Sequence, residues 1–430
     1  MKKWLILFVV LTGLYFFMGC GETDELIELS IKNAPDPFVE LNEEIDAGQF
    51  TVNLKINGKE QNDLPITDPL FEVTGLVNGK LDTSSPGKKT ITVAYGAQTV
   101  AFEYIVANFL VRTYDELENA ISQEGEFVVL MNDISVNSSR TGISIPKDSV
   151  KTLELNGHVL SFMPDLSGTT ELIKNEGVLT IQDSSDEKND GSGTGVITNK
   201  ALNPDDKWSD EDPEHPFPFY ANNTITNKGQ LTIESGLIEN LTSSGAAYAI
   251  DNNSNTSDAV VSVKGGKIVS PRNFAIRMFA NSTKHKNVVN VSGGVIEGIR
   301  AIWLQLPGAS GEEKLAEMKI SGGTLRSIDE EYNLAIYSYT FGDSFGKTKI
   351  TITGGIFEGD VAFTGGSRKT PTETVVVSGG YFRGRYGVYS YGLMEPFITG
   401  GTFASNPSDY VDSKTHQVNV KDGEYVVNAK

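Results

Sequence analysis

One short pattern, a small residue or Lys followed by Gly, any residue and a large apolar one, recurs down the last two thirds of the 430-residue chain and limits the folds open to it. It reads ESGLI, KGGKI, SGGVI, SGGTL, TGGIF, SGGYF and TGGTF, and the last glycines, at 236, 266, 294, 323, 355, 380 and 401, are separated by 30, 28, 29, 32, 25 and 21 residues. A second marker, Ala-Ile or a close variant, keeps step with it, starting at Ala249, Ala275, Ala301, Ala335, Ala362 and Gly387. Two markers in step define one structural rung per unit. Upstream, IKNEGVLTI (Ile173 to Ile181) and ITNKGQLTI (Ile225 to Ile233) extend the repetition. Units of about 20 to 35 residues holding only short strands and turns fit a solenoid in which each coil pairs with the coils above and below. A leucine-rich repeat is excluded by the missing Leu/Asn spacing, and a propeller blade needs about 40 residues. Alternation then points Ile268, Ile296, Leu325, Phe357, Phe382 and Phe403 inward as one column.

The array, taken as residues 109–430, opens with a capping box, Thr113-Tyr114-Asp115-Glu116, before a helical stripe of Leu117, Ala120 and Ile121, so one short capping helix is expected. Strand-like Phe127 to Leu130 and Thr152 to Leu160 follow. The glycine-rich repeats resemble the right-handed parallel β-helix of the pectate-lyase-like superfamily, and more closely the β-helix surface proteins of bacteria. The "LELNGHVL" segment (Leu153 to Leu160) and the closing Gly400 to Val411 and Asp422 to Val426 carry that likeness. It implies a fold. Function is left open, because lyases, hydrolases and adhesins share the architecture.

The single cysteine, Cys20, cannot form an internal disulfide or a cysteine-based zinc site, and His158, His215, His285 and His416 have no metal-ligand spacing. Met1-Lys2-Lys3 followed by apolar Trp4 to Met18 reads as a secretory signal, too short to span a bilayer comfortably. Phe17-Met18-Gly19-Cys20 resembles a lipobox, which implies cleavage after residue 19, acylation of Cys20 and anchoring to a bacterial membrane on its extracytoplasmic side. The alternative is a signal anchor with an incidental cysteine. Residues 20–25 are an acidic tether.

Between the tether and the array, residues 26–107 read as short alternating strands, Thr51 to Ile56, Lys89 to Tyr95 and Thr99 to Val106, with a hairpin at Gly96 to Gln98. An antiparallel β-sandwich is expected. Leu81-Asp82-Thr83-Ser84-Ser85-Pro86-Gly87 before the final hairpin resembles bacterial immunoglobulin-like domains, which implies a spacer, with direct ligand binding as the alternative. The chain is thus expected to be all-β, an Ig-like sandwich plus a right-handed parallel β-helix.

With 36 Lys and Arg against 56 Asp and Glu, the net charge of −20 opposes phosphate binding, so no nucleic-acid partner is expected. The residue after each Ala-Ile marker should face outward, giving a column of Asp251, Arg277, Trp303, Tyr337, Thr364 and Tyr389. Two positions further on, Tyr339 and Tyr391 join it. Aromatic faces and polar groups one coil apart suit stacking of sugar rings, making Asp251, Arg277, Trp303, Tyr337, Tyr339, Tyr389 and Tyr391 the candidate ligand-binding residues. Equally, the column is a set of outward ladders stacking on one another. An enzyme of this fold would be a polysaccharide lyase or hydrolase, with Arg277 and Arg300 as conceivable bases, but no catalytic constellation stands out. Residues 183–218 read as an acidic, solvated loop insertion. Asp183, Asp186, Asp190 and Gly191 have the residue types of a calcium loop without its spacing, so no cofactor is expected and calcium is the weak alternative. The expected role is a lipid-anchored cell-surface adhesin or glycan-binding protein, with enzyme and purely structural envelope protein as alternatives.

Overall fold

The computed structural model describes residues 26–137, 142–163, 170–200, 222–242, 247–306, 313–331, 333–340, 345–363, 374–390 and 395–430. Residues 1–25, on which the expected signal sequence, acylated Cys20 and tether fall, lie outside the described residues, as do Tyr391 and the side chain of Tyr339. The chain divides into two compact units, one ending at Leu110 and the other beginning at Val111.

In the first unit, Ile27–Asn33, Thr51–Ile56 and Lys59–Pro65 form an antiparallel sheet. A second sheet runs in the order Phe38–Glu40, Gln98–Ala107, Gly87–Tyr95, Glu72–Thr74. Alternate residues of both sheets, including Val52, Leu54, Ile91, Val93, Phe102 and Val106, fill one core. The sheet is not purely antiparallel as the sequence suggests, because the edge strand Phe38–Glu40 pairs parallel with Ile105 to Ala107. Tyr104 pins the Asp82 turn: its hydroxyl accepts from Asp82 N (2.9 Å) and donates to Asp82 O (3.2 Å).

The second unit is a right-handed parallel β-solenoid. Its first sheet runs through Phe127–Leu130, Val150–Glu154, Val178–Gln182, Gln230–Ile233, Ala259–Val263, Lys286–Val291 and onward, each strand parallel to the next. The second sheet follows Ile134–Asn137, Val159–Met163, Val196–Asn199 and Leu237–Asn240, and the third follows Ile143–Ile145, Thr170–Asn175, Asn222–Asn227 and Ile250–Asn253. Longer strands such as Lys267–Phe279 and Val295–Leu306 then serve the second and third sheets in turn. The inward column is as expected: Ile268, Ile296, Leu325, Phe357, Phe382 and Phe403 are all fully buried and in register. Phe357, Phe382 and Phe403 stack face to face at 4.6 and 4.7 Å.

The two glycines of each repeat answer different constraints. A Cβ on the first would strike a carbonyl of the preceding coil, at 2.1 Å from Lys264 O for Gly293 and 2.3 Å from Ser292 O for Gly322. The second has left-handed φ, +73° at Gly294 and +79° at Gly323.

Both ends of the stack are closed. The helix Tyr114–Ser122 buries Tyr114, Leu117, Ala120 and Ile121; Thr113 Oγ1 accepts from Glu116 N, while Glu116 reaches back to Arg112 N (2.6 Å), one residue earlier than a standard capping box. Its carboxyl end is held by the buried Lys151, whose Nζ donates to Ala120 O, Gln123 O and Gly125 O. At the other end, Glu424–Ala429 pairs antiparallel with Ile398–Phe403 and with His416–Lys421, breaking the parallel pattern. No helix among the described residues is long and apolar enough to cross a membrane.

Candidate functional site

The third sheet sets the expected column in register. Asp251 lies beside Arg277, Arg277 beside Trp303, and Trp303 beside Tyr337. The next member is Ala362, not Thr364, and it pairs with Tyr389. Ile336 faces Val361, so the place of the Ala-Ile marker is held in this coil by Asp360-Val361 and not by Ala362-Phe363. Thr364 lies outside the described residues.

The upper end of this column is an internal ion pair. Arg277 Nε and Nη2 donate to Asp251 Oδ1 and Oδ2, both at 2.8 Å, with the side chains only 16% and 4% exposed. The guanidinium also lies between the rings of Tyr248 and Phe279, 4.5 and 4.6 Å from their centroids. Burial pushes Arg277 down, the Asp251 carboxylate more than offsets it, and the net shift is upward. Arg277 is therefore held protonated and is no base. Burial raises the Tyr248 phenol likewise.

Below the pair, Arg300 lies over both Phe274 and Tyr337, at 4.8 Å from each centroid. Phe274 meets Trp303 edge-on at 4.7 Å and Tyr248 in a stacked arrangement at 6.1 Å. Trp303, Tyr337 and Tyr389 are half-buried, and Tyr389 meets the exposed Tyr386 at 6.1 Å. The indole Nε1 of Trp303 and the side-chain oxygen of Gln305 are buried polar atoms with no hydrogen-bond partner among the described residues. The cluster offers ring faces, cations and hydrogen-bonding atoms, and its buried carboxylate is already committed to a guanidinium.

Tyr248, Phe274 and Arg300 escape the column reasoning, although a signal exists: each directly precedes an Ala marker, at Ala249, Ala275 and Ala301. They form a second row at the sheet corner, where Phe274 pairs with Arg300.

Of the segment 183–218 read as a solvated loop, residues 183–200 are described; Ser184, Ser185 and Glu187 to Asp190 are exposed, as expected, but other parts are packed. Val196–Asn199 within it is a strand of the second sheet, and Asp183 and Asp186 are buried. Asp183 accepts from Gly157 N, Ser185 N, Ser185 Oγ and Gly195 N; Asp186 accepts from Asp190 N, Gly191 N and Gly236 N. Both carboxylates are thus met by backbone amides and, at Asp183, by the Ser185 hydroxyl. Among the described residues no group of three or more metal-ligating side chains converges. Glu154 is buried too; its oxygens accept from Asn156 N, Ser184 N and Gln182 Nε2, and burial raises its pKa.

Fold and cluster together define a parallel β-solenoid protein carrying an aromatic and arginine ladder on one sheet. The chain matches no protein-family model and no curated protein sequence.

Proposed function

We propose that the protein is a lipid-anchored bacterial surface protein, an adhesin that binds glycan through the Trp303–Tyr337–Tyr389 end of its ladder. The observation that carries this reading is the register of Trp303 and Tyr337, half-buried aromatic residues on adjacent coils about 4.8 Å apart, a spacing that offers consecutive faces to one saccharide chain. Because Asp251 and Arg277 neutralise one another, contact with ligand belongs to the aromatic end. Trp303 Nε1 and Gln305 Oε1 supply a donor and an acceptor that a sugar hydroxyl can answer once the covering side chains move.

Two further parts complete the reading. Cys20 is the acylated residue, tying the chain to the bilayer outside the cytoplasm. The first unit is an immunoglobulin-like spacer, supported by its two sheets around one core and by the Tyr104 hydroxyl bonded back to the Asp82 turn.

Glycan-array binding by the purified protein tests the ladder. Trp303→Ala and Tyr337→Ala are each expected to weaken binding by about tenfold or more, the loss of one buried aromatic face. Absence of binding, or binding indifferent to both changes, removes the proposal. For the anchor, Cys20→Ser should release the processed protein from membranes; continued membrane association refutes acylation.

A further inference from the structure

Independently of the glycan reading, the corner between the first and second sheets shows what its own repeated glycines bind. In the upper coils the Asp183 to Gly195 loop lies along that corner. Gly236 N–H donates to Asp186 Oδ2 at 2.9 Å, and one coil further on Gly266 N–H donates to the main-chain oxygen of Asn189 at 2.6 Å. Both glycines are buried by this contact. A carboxylate and a carbonyl three residues apart, brought close by a tight turn in which Asn189 N–H donates to Asp186 O at 3.0 Å, thus engage two amides one coil apart. Amides around a left-handed glycine form an acceptor-binding nest, and a carboxylate there makes charge-assisted bonds.

The next two coils repeat the turn without the occupant. Gly294 and Gly323 have φ of +73° and +79°, against +87° and +72° at Gly236 and Gly266. They are half-buried, they stand outside the strands, and their N–H groups meet no acceptor among the described residues. On the first sheet of the same coils is a depression of about 270 Å³ lined by Asn290, Ser292, Lys319, Ser321, Thr351 and Thr353. Ser292 and Ser321, exposed and immediately before the glycine pairs, add hydroxyls to its edge.

We infer that the Gly294–Gly323 corner is a docking groove for an acidic peptide turn, a carboxylate seated on Gly294 N–H and a main-chain carbonyl three residues later on Gly323 N–H. A peptide is favoured because the equivalent positions already hold one, Asp186 to Asn189. Val295 and Thr324 border the groove on the second-sheet side.

The probe is the nonapeptide DSSDEKNDG, the sequence of residues 183–191, added to the full chain labelled with nitrogen-15 glycine. The medium is about 0.15 M salt, where a Debye length of ~8 Å screens the chain's negative charge. The amide resonances of Gly294 and Gly323 should shift saturably, with those of Gly236 and Gly266 unmoved. Replacing the peptide's fourth residue, Asp, by Ala should weaken binding about tenfold or more, as expected for a hydrogen bond to a charged group. Thr324→Trp, an outward substitution that fills the groove, should abolish it, whereas Trp303→Ala on the other face should leave it unchanged. No shift at Gly294 and Gly323 at millimolar peptide overturns the inference, as does binding indifferent to the Asp→Ala peptide. A shift produced by a uronate oligosaccharide and not by the peptide overturns the choice of partner. Since the altered peptide leaves the protein untouched, misfolding of a variant cannot mimic the result.

Discussion

Between residues 175 and 287 a row of asparagines runs through the solenoid interior, whereas from Phe357 to Phe403 the interior row is aromatic. Asn175 Nδ2 donates to Asn227 Oδ1, Asn227 Nδ2 to Asn252 Oδ1, and Asn252 Nδ2 to Asn287 Oδ1, each at 2.7 Å. The same amides also reach main-chain oxygens of Gln230, Val260 and Val288, tying the third sheet to the first across the corner. The phenylalanines line the second sheet, and their side chains meet from coil to coil by ring contact without a hydrogen bond. One row fixes register by directional bonds that a slipped coil would leave unmet. The other adds burial without direction.

The largest expected effect falls on the aromatic row. Phe382 lies between Phe357 and Phe403, so Phe382→Ala should destabilise the solenoid by about 3–5 kcal/mol, the cost of a large buried ring and its cavity. The denaturation midpoint measures it. A cost below about 1 kcal/mol would mean that neighbouring coils collapse into the space and the row is not needed.

Asn227 sharpens the contrast. Asn227→Leu keeps the volume and removes the bonds, and about 1–3 kcal/mol is expected from the polar groups left buried and unmet. Asn227→Ala should cost a similar amount if direction, and not filling, is what the row supplies. If leucine proves neutral while alanine is costly, the two rows work alike and the distinction fails.

The two rows were unequally legible in the sequence. The apolar row follows from period-two alternation after each glycine marker, and every member lies where that reasoning puts it. The asparagines are present in the quoted repeat, at the third position of IKNEG and ITNKG, and again at Asn252 in Ile250 to Asn253. They go unread because a polar residue is expected outside, and because Asn175, Asn227, Asn252 and Asn287 follow one another at irregular distances along the chain. The outward ladder was legible to the extent that repeat and register agree. In one coil the marker position falls on Asp360-Val361 and not on Ala362-Phe363, so Ala362 holds the place assigned to Thr364. That Arg277 would close on Asp251 was not legible, since sequence places the two side by side without saying whether solvent lies between.

On the outside of the second sheet the comparison predicts a much smaller effect. Arg326 bridges Glu297 (2.8 Å) and Glu358, Arg383 reaches Glu358 (3.4 Å), and Lys267 reaches Glu297 (3.6 Å). With the Arg326 side chain 42% exposed, Arg326→Ala should cost under about 1 kcal/mol and less still in high salt. A salt-independent loss as large as that of Asn227→Leu would show that this outward ladder, and not the inner rows, sets coil register.

Protonation gives the finest test, because buried carboxyl groups of the solenoid and an exposed one of the first unit are shifted in opposite directions. Burial raises Glu154, so its ionised form weakens the folded state, and that weakening is relieved as pH falls through the raised value towards the ordinary carboxylate range. Asp82 in the first unit shifts the other way, to about 2, through hydrogen bonds from Ser84 and Lys89. Its contribution is complete above the ordinary aspartate range near about 4 and is lost as pH falls from there towards 2. Mild acidification should therefore strengthen the solenoid while leaving the Asp82 turn intact, and stronger acid should weaken the first unit. Asp360, also raised by burial, adds to the solenoid's gain from its corner beneath Tyr386 N and Gly387 N. Unfolding midpoints of the two units against pH, repeated with Glu154→Gln and Asp82→Asn, separate the contributions. Each substitution should flatten the pH dependence of its own unit alone. A solenoid midpoint that falls on mild acidification, or that keeps its full pH dependence in Glu154→Gln, would place the titrating group elsewhere in the coils.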